Sequence, residues 1–238
     1  MVAADISAVL ALDQRCLGGL WTRSGYEREL DSEHSDLLVL VKASSVEPIN
    51  SRLTQTSPKL VSTTEPDDAH TPQTSIQSNV DAQISAQSNT LINTQITPSN
   101  PSRKGQQVEL LGVGCLWAIL EEAHITTLAI DPKYQGQKLG LWLLAQLLQK
   151  AYKRGLTRAT LEVRATNKRA LSLYQKFDFK EAGIRKRYYA DGEDASILWR
   201  TGLQTKDCLA QINRYQMQAT AQLRKQNYRF YTEDFQLI

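Results

Sequence analysis

Histidine and cysteine are scarce in this 238-residue chain, three of each, and their placement excludes more than their number does. Cys16, Cys115 and Cys208 are scattered, with no CxxC spacing, which argues against a disulfide framework. His34, His70 and His124 stand alone, so local spacing assembles no metal cluster and no metal is expected. No window is apolar for the length a membrane span needs. The opening run MVAADISAVLALD lacks a basic leader and is interrupted by Asp13, so it does not read as a signal peptide. Charge of one sign is missing too. Lys and Arg total 28 against 25 Asp and Glu, a surplus of +3 that is too small to argue for nucleic acid. A soluble, cytoplasmic, monomeric protein in a reducing compartment is the expectation.

What is present is enough apolar residue, 41%, for one substantial core. Two breaks in composition divide the chain. Residues 44–107 turn to Ser, Thr, Gln, Asn and Pro with hardly an aromatic, and a loose echo joins Ile76-Gln-Ser-Asn79 to Ala86-Gln-Ser-Asn89. Such a segment cannot offset its ordering entropy by burial, which predicts a disordered insertion. Its flanks, DLLVLVKA and VELLGVGCLWAIL, both read as strands, so the insertion falls in a hairpin loop, where length costs stability only logarithmically. The second break opens a Gln-rich extension, 201–238, with Leu209 and Ile212 spaced for one weakly amphipathic helix. Its aromatic end, from Tyr228 to Phe235, suits docking on the chain's own core or on a partner.

Residues 1–43 and 108–200 hold the parts of one α/β unit. Ile6, Val9, Leu10 and Leu17 recur at helical spacing behind Asp5, a candidate N-cap, and TRSGYEREL suits a second short helix. Strands are expected near 36–42, 109–120 and 124–130. A helix over 139–154 follows, its inner face Leu143, Leu144, Leu147, Leu148 and Ala151, and Gly155 stops it. Then come strand RATLEVRA, helix NKRALSLYQKF, and strands FKEAGIRKRYY and DASILWR. Strands and helices in this order predict a mixed sheet with helices on its faces.

The stretch LAIDPKYQGQKLGLWLL runs from strand through a glycine loop into a helix. Free amides at a helix N-terminus favour an anion, and the loop is open to two readings, a phosphate cradle or a plain turn. Its residues Gln135, Gly136, Gln137, Lys138, Leu139 and Gly140 resemble the acyl-CoA pyrophosphate motif Q/R-x-x-G-x-G/A of the GNAT N-acetyltransferases. LEVRATNKRALSLYQKFDF and GIRKRYYADGEDASILW resemble later runs of that family, and LWTRSGYEREL an early one. The last two are similar to the ribosomal-protein-alanine N-acetyltransferase subgroup. The resemblance covers about residues 5–43 and 108–200. It departs from the family where Lys138 and Asp178 replace glycines. If the position of Lys138 needs a positive φ, lysine there costs about 1 kcal/mol or more, and an anionic ligand beside the ammonium recovers part of that.

The resemblance implies the GNAT fold, a mixed and mostly antiparallel sheet flanked by helices, and acetyl transfer from acetyl-CoA to a protein N-terminal amine. The N-terminal alanine of small-subunit ribosomal protein eighteen is the acceptor it points to. It implies Glu162 as general base and Tyr174 as general acid, although spacing alone allows Glu162 an ion pair with Arg164 and Tyr174 a place in the core. It implies cofactor contacts from the backbone of Leu128, Ala129 and Ile130, from 135–140 and Leu141, and from Asn167, which also suits a helix N-cap. Trp21, Tyr188 and Tyr189 would line the acceptor groove, with Tyr26 as a neighbour. Arg185-Lys-Arg187 reads as a solvated face, with an acidic ribosomal surface or the cofactor's 3′-phosphate as alternatives. Other protein N-termini, lysines or small amines, or a non-catalytic CoA-binding role, stay open beside this reading.

Overall fold

Alternation along one strand decides the layering. In β1 (Ser35–Ala43), Leu38 and Leu40 face one side of the sheet and Leu37, Val39 and Val41 the other, and each set meets its own helices. The computed structural model describes residues 1, 3–43, 89–92 and 108–231. After α1 (Ile6–Leu17) and α2 (Arg23–Asp31) come β1, β2 (Asn89–Ile92), β3 (Val108–Ile119), β4 (Glu122–Ile130), α3 (Leu139–Lys153) and β5 (Arg158–Arg164). Then follow α4 (Lys168–Lys176), β6 (Lys180–Arg185), β7 (Ala195–Thr201), α5 (Lys206–Lys225) and β8 (Tyr228–Tyr231). The strands form one mixed sheet in the order β6-β7-β5-β4-β3-β1-β2-β8, parallel only at β4–β5 and β2–β8. Helices α1 and α2 cover one face. Helices α3 and α4 cover the other, with α5 packed against α3. Among the described residues no helix is long and apolar enough to cross a membrane.

β1 and β3 pair antiparallel from Ser35↔Trp117 to Ala43↔Val108, so the insertion leaves from the end of a hairpin, as its flanks predict. Most of the expected disorder at 44–107 lies outside the described residues. Within it, however, Asn89–Ile92 is strand β2, pairing with β1 at Lys42↔Leu91 and with β8. An element was missed there because Thr, Leu and Ile are strand formers and the edge of β1 offers unpaired backbone.

Two further expectations are corrected. Asp5 is not a side-chain cap: it is already in the helical region, because a 3-10 turn, Ala3–Asp5, leads into α1. Within α1, Leu12 and Asp13 are buried in place of Leu10 and Leu17. Asp13, the residue that interrupts the apolar run, is buried and has partners. Its carboxylate accepts the backbone N–H of Leu20 at 3.1 Å and of Trp21 at 2.9 Å, holding the turn after the helix.

The C-terminal helix is longer and better docked than its weak pattern suggests. Thr205 caps it, and Cys208, Ile212, Ala219 and Leu223 are buried in the core that α3 fills. It runs antiparallel to α3: Gln204 donates to the carbonyls of Tyr152 and Leu156, while Gln149, further back along α3, meets Asn213 and Gln216. Ile212→Ala should therefore destabilise the fold by about 2–4 kcal/mol in urea unfolding, whereas Met217→Ala on the exposed face should stay within about 0.5 kcal/mol.

Candidate active site

The parallel ladder between β4 and β5 stops almost as soon as it starts. It comprises Glu122↔Arg158, Ala123↔Ala159 and His124↔Thr160, and nothing beyond. The cause lies in β4, where the pairing with β3 shifts between Cys115/Leu116 and leaves Thr126 as the extra residue of a bulge. The bulge also exchanges faces. Ala123 and Ile125 join the α3-side core, whereas Ala129 joins the α1-side core and Leu128 and Ile130 pack toward α3. From residue 125 to residue 130 the β5-facing edge of β4 has no ladder partner, and β5 continues against β7 alone. The sheet splits there, with backbone donors and acceptors along one wall.

One end of the split meets the loop before α3. Asp131 ends β4; its carboxylate accepts the Lys133 N–H at 3.0 Å and pairs with Arg15 at 2.8 Å. Burial opposes ionisation of Asp131, but those two contacts outweigh it and hold the carboxyl below its ordinary range. Gly136 and Lys138 both have positive φ, 83° and 71°. The position that lysine takes from glycine is therefore left-handed, and Lys138 sits as the N-cap of α3 with no side-chain cap of its own. The first helical bond of this turn runs from the Trp142 N–H to the Lys138 carbonyl, leaving the amides of Leu139, Gly140 and Leu141 without intrahelical acceptors.

Side chains of this loop are mostly occupied with the protein itself. Gln135 donates to the Ile130 carbonyl at 3.0 Å and accepts from Arg169 at 2.7 Å, while Leu139 and Leu141 are buried. At Gly140 an added Cβ would lie 3.5 Å from Leu173, an ordinary contact, so alanine would fit as the motif allows. An anion at this helix start would meet backbone N–H groups, at a cap residue that is itself a lysine. Asn167 caps α4 by accepting the Ala170 N–H at 3.1 Å.

Toward the other end stands Glu162. Leu161 and Val163 enter the α3-side core, so the carboxylate points to the opposite face, only 10% exposed. It lies 3.1 Å from His124 Nε2 and 3.2 Å from Arg185. The expected alternative, a pair with Arg164, does not form: Arg164 bonds Asp191 and Glu193 at 2.8 and 2.6 Å and stacks on Tyr189. Nor is Arg185-Lys-Arg187 a simple solvated face. Arg185 reaches Glu162, Lys186 pairs with Asp194, and Arg187, at φ 51°, donates its N–H to the same carboxylate. β6 ends at Arg185, short of the expected strand through Tyr189, because these bonds turn the chain.

Two functional candidates were invisible in the sequence. His124 reaches Glu162 only because β4 and β5 pair at their starts, and Trp117, opposite it on β3, stacks toward it at 6.2 Å. Trp117 also packs on Trp21 at 5.8 Å, so a row of rings runs from Trp21 to the carboxylate. Tyr26 is fully buried and anchors α2. Beyond Arg185, Tyr188 and Tyr189 meet edge-on at 5.2 Å. Burial raises the Tyr189 phenol, with Glu162 contributing, and Tyr189 in turn adds to the rise of Tyr174. Tyr174 is buried on α4 against Phe179, and burial pushes its phenol well above its ordinary value. A hollow of about 580 Å³ between β7 and α5, around Arg200 and Gln211, shares none of these residues.

Residues 102–179 match the acetyltransferase (GNAT) family. The [ribosomal protein bS18]-alanine N-acetyltransferase of Escherichia coli (strain K12) is 44% identical over 82 residues, 34% of this chain and 55% of its own length. A Bacillus subtilis (strain 168) relative is 43% identical over 93 residues, 39% of this chain and 62% of its own length. The chain thus spans little more than half of these two. It spans 69% of the Haemophilus ducreyi [ribosomal protein bS18]-alanine N-acetyltransferase, at 33% identity over 100 residues and 42% of this chain. The crystal structure of the Escherichia coli ribosomal-protein-S18-alanine N-acetyltransferase superposes with a TM-score of 0.50 at 22% identity, covering 84% of this chain and 90% of that one.

The tyrosine loop is held by carboxylates. Glu193 accepts from Thr166 and Arg164, Asp191 from the Glu193 N–H and Arg164, and Asp194 from Lys186 and the Arg187 N–H. These bonds hold all three carboxyls below their ordinary values. Depressed carboxylates give their support above the unfolded pKa of about 4 and lose it as pH falls through the folded value. Hydrogen exchange at the Tyr189 amide, bonded to the Glu193 carbonyl at 3.1 Å, should stay protected from neutral pH to about pH 4 and lose protection below. Loss of protection near pH 6 would contradict this account of the loop.

Proposed function

Because the chain belongs to the acetyltransferase (GNAT) family, we propose that it moves acetyl from acetyl-CoA to a protein N-terminal amine, the N-terminal alanine of ribosomal protein bS18 being the acceptor. The observation that carries this reading is Glu162, a nearly buried carboxylate beside the sheet split, with an imidazole and a guanidinium within 3.2 Å. A structural strand carboxylate has no need of such a setting. The names of the relatives support the choice of acceptor.

The residues fit acetyl-CoA on geometry. Amides of 139–141 and the Lys138 ammonium would take the pyrophosphate, with Gln135, Gly136 and Gln137 shaping the loop and Asn167 at its side. The edge of β4 without a strand partner, along Leu128, Ala129 and Ile130, would hold the pantetheine arm as an added strand and donate to the thioester carbonyl. When bound, the thioester supplies an activated acetyl carbon.

Glu162 takes the proton that the attacking amine gives up, through water. An α-amine of pKa about 7.7–8.0 asks less of a carboxylate than a lysine of about 10.4, which suits an N-terminal acceptor. His124, in contact with Glu162, can pass that proton on. As the C–N bond forms the C–S bond breaks, and Tyr174 donates to the departing thiolate. With its pKa so far raised, complete transfer to a thiolate of about 8.5 is uphill. The phenol therefore acts first as a hydrogen-bond donor, and solvent completes the protonation. Trp21, Tyr188 and Tyr189 wall the side from which the acceptor peptide would enter.

Incubation of purified protein with acetyl-CoA and two peptides, read by mass spectrometry, tests this. A peptide with the bS18 N-terminal sequence should be acetylated on its free alanine, and one with a blocked N-terminus and an internal lysine should not. Glu162→Gln should lower kcat by about 10²-fold or more with CoA affinity retained. Acetylated lysine would refute the acceptor assignment, and full turnover in Glu162→Gln the base.

A further inference from the structure

The C-terminal extension lies outside the family match at 102–179, yet it reaches back to the phosphate loop. Helix α5 runs antiparallel along α3, which brings its C-terminal end to the N-terminus of α3. There Asn227, at φ 62°, turns the chain, and Tyr228 follows with only 3% of its surface exposed. The Tyr228 hydroxyl donates to Gln137 Oε1 at 2.8 Å. Gln137 immediately precedes the strained Lys138. A second aromatic closes the group: Tyr134, in the turn just before the loop, hydrogen-bonds to Glu109 and lies within electrostatic reach of Tyr228. Beyond Tyr228, β8 runs beside β2 from Asn89↔Tyr228 to Ile92↔Tyr231, which fixes the tail to the sheet edge.

We propose that Tyr228 is a positioning residue of the phosphate loop, and that the C-terminal extension is thereby part of the CoA-binding apparatus. This rests on the acetyl-CoA reading above. The argument is one of pre-organisation. A left-handed lysine is held in place only if its surroundings over-determine it, and Gly136 one residue before Gln137 leaves that side of the loop soft. Gln135 is tied to Ile130 and Arg169. Gln137 has its tie to the tail, and with both glutamines held the amides face the anion before it arrives. The tail pins a loop that its own sequence leaves free to move. Nothing in the family motif, which leaves position 137 unspecified, requires this bond.

CoA titrated calorimetrically into the full-length protein tests the proposal, with Tyr228→Phe and Gln137→Ala made singly and together. Tyr228→Phe keeps the ring and its packing and removes only the hydroxyl. Gln137→Ala removes the same bond from the loop side, so misfolding of the tail cannot imitate the result. Each single variant should weaken CoA binding by about 3- to 10-fold, and the pair by no more than the worse single, because both remove one interaction. In turnover the loss should fall on the KM for acetyl-CoA and not on kcat. Unchanged affinity in Tyr228→Phe, or losses that multiply in the pair, would overturn the positioning role while leaving the acetyl-CoA reading intact. Failure of the unaltered protein to bind CoA would overturn both.

Discussion

Everything at this site follows from a ladder that ends early. Parallel strands β4 and β5 pair over three residues, and the bulge at Thr126 then carries β4 away. Unpaired backbone inside a folded domain is costly unless something satisfies it, so a sheet opened at its centre is a place where a ligand substitutes for a strand. The same bulge reverses which side chains face α3. Leu128 and Ile130 pack toward that core while His124, before the bulge, is left on the face that Glu162 shares.

Strain and charge are distributed around that opening in a pattern that makes chemical sense. Left-handed Lys138 carries a backbone cost at the start of α3, where the helix amides are free and the dipole favours negative charge. Arg185 is drawn inward to Glu162, and the carboxylates Asp191, Glu193 and Asp194 pair with Arg164 and Lys186. The loop bearing Tyr188 and Tyr189 is thus an electrostatic clip. Its acidic residues are occupied by Arg164, Thr166, Lys186 and the Arg187 N–H, which holds the loop in place.

Much of this was legible in the sequence. Strand–loop–helix order, the leucine face of α3, the stop at Gly155 and the hairpin origin of the insertion all depend on local periodicity or on punctuation by glycine. Lys138 and Asp178 each stand where the family has glycine, with strain expected at Lys138 if its position needs a positive φ, and the φ values are 71° and 57°. What was not legible depends on register. His124 sits beside Glu162 through the β4–β5 pairing, Arg185 reaches it across β7, and Trp117 stands between His124 and Trp21. No spacing rule links such residues. Asp13 was legible only as an interruption of the opening apolar run, whereas its role as a buried acceptor for the turn that carries Trp21 is not local. The tail looked weakly helical because half of its buried face is small or polar, Cys208 and Ala219 beside Ile212 and Leu223.

Amide chemical-shift mapping as CoA is added to the labelled protein would test the central claim most directly, that the split sheet is a CoA site. The account predicts perturbations along 136–141 and 125–130, with the residues around Arg200 and Gln211 undisturbed. Shifts concentrated at the hollow between β7 and α5, or no shifts at all from folded protein, would contradict it.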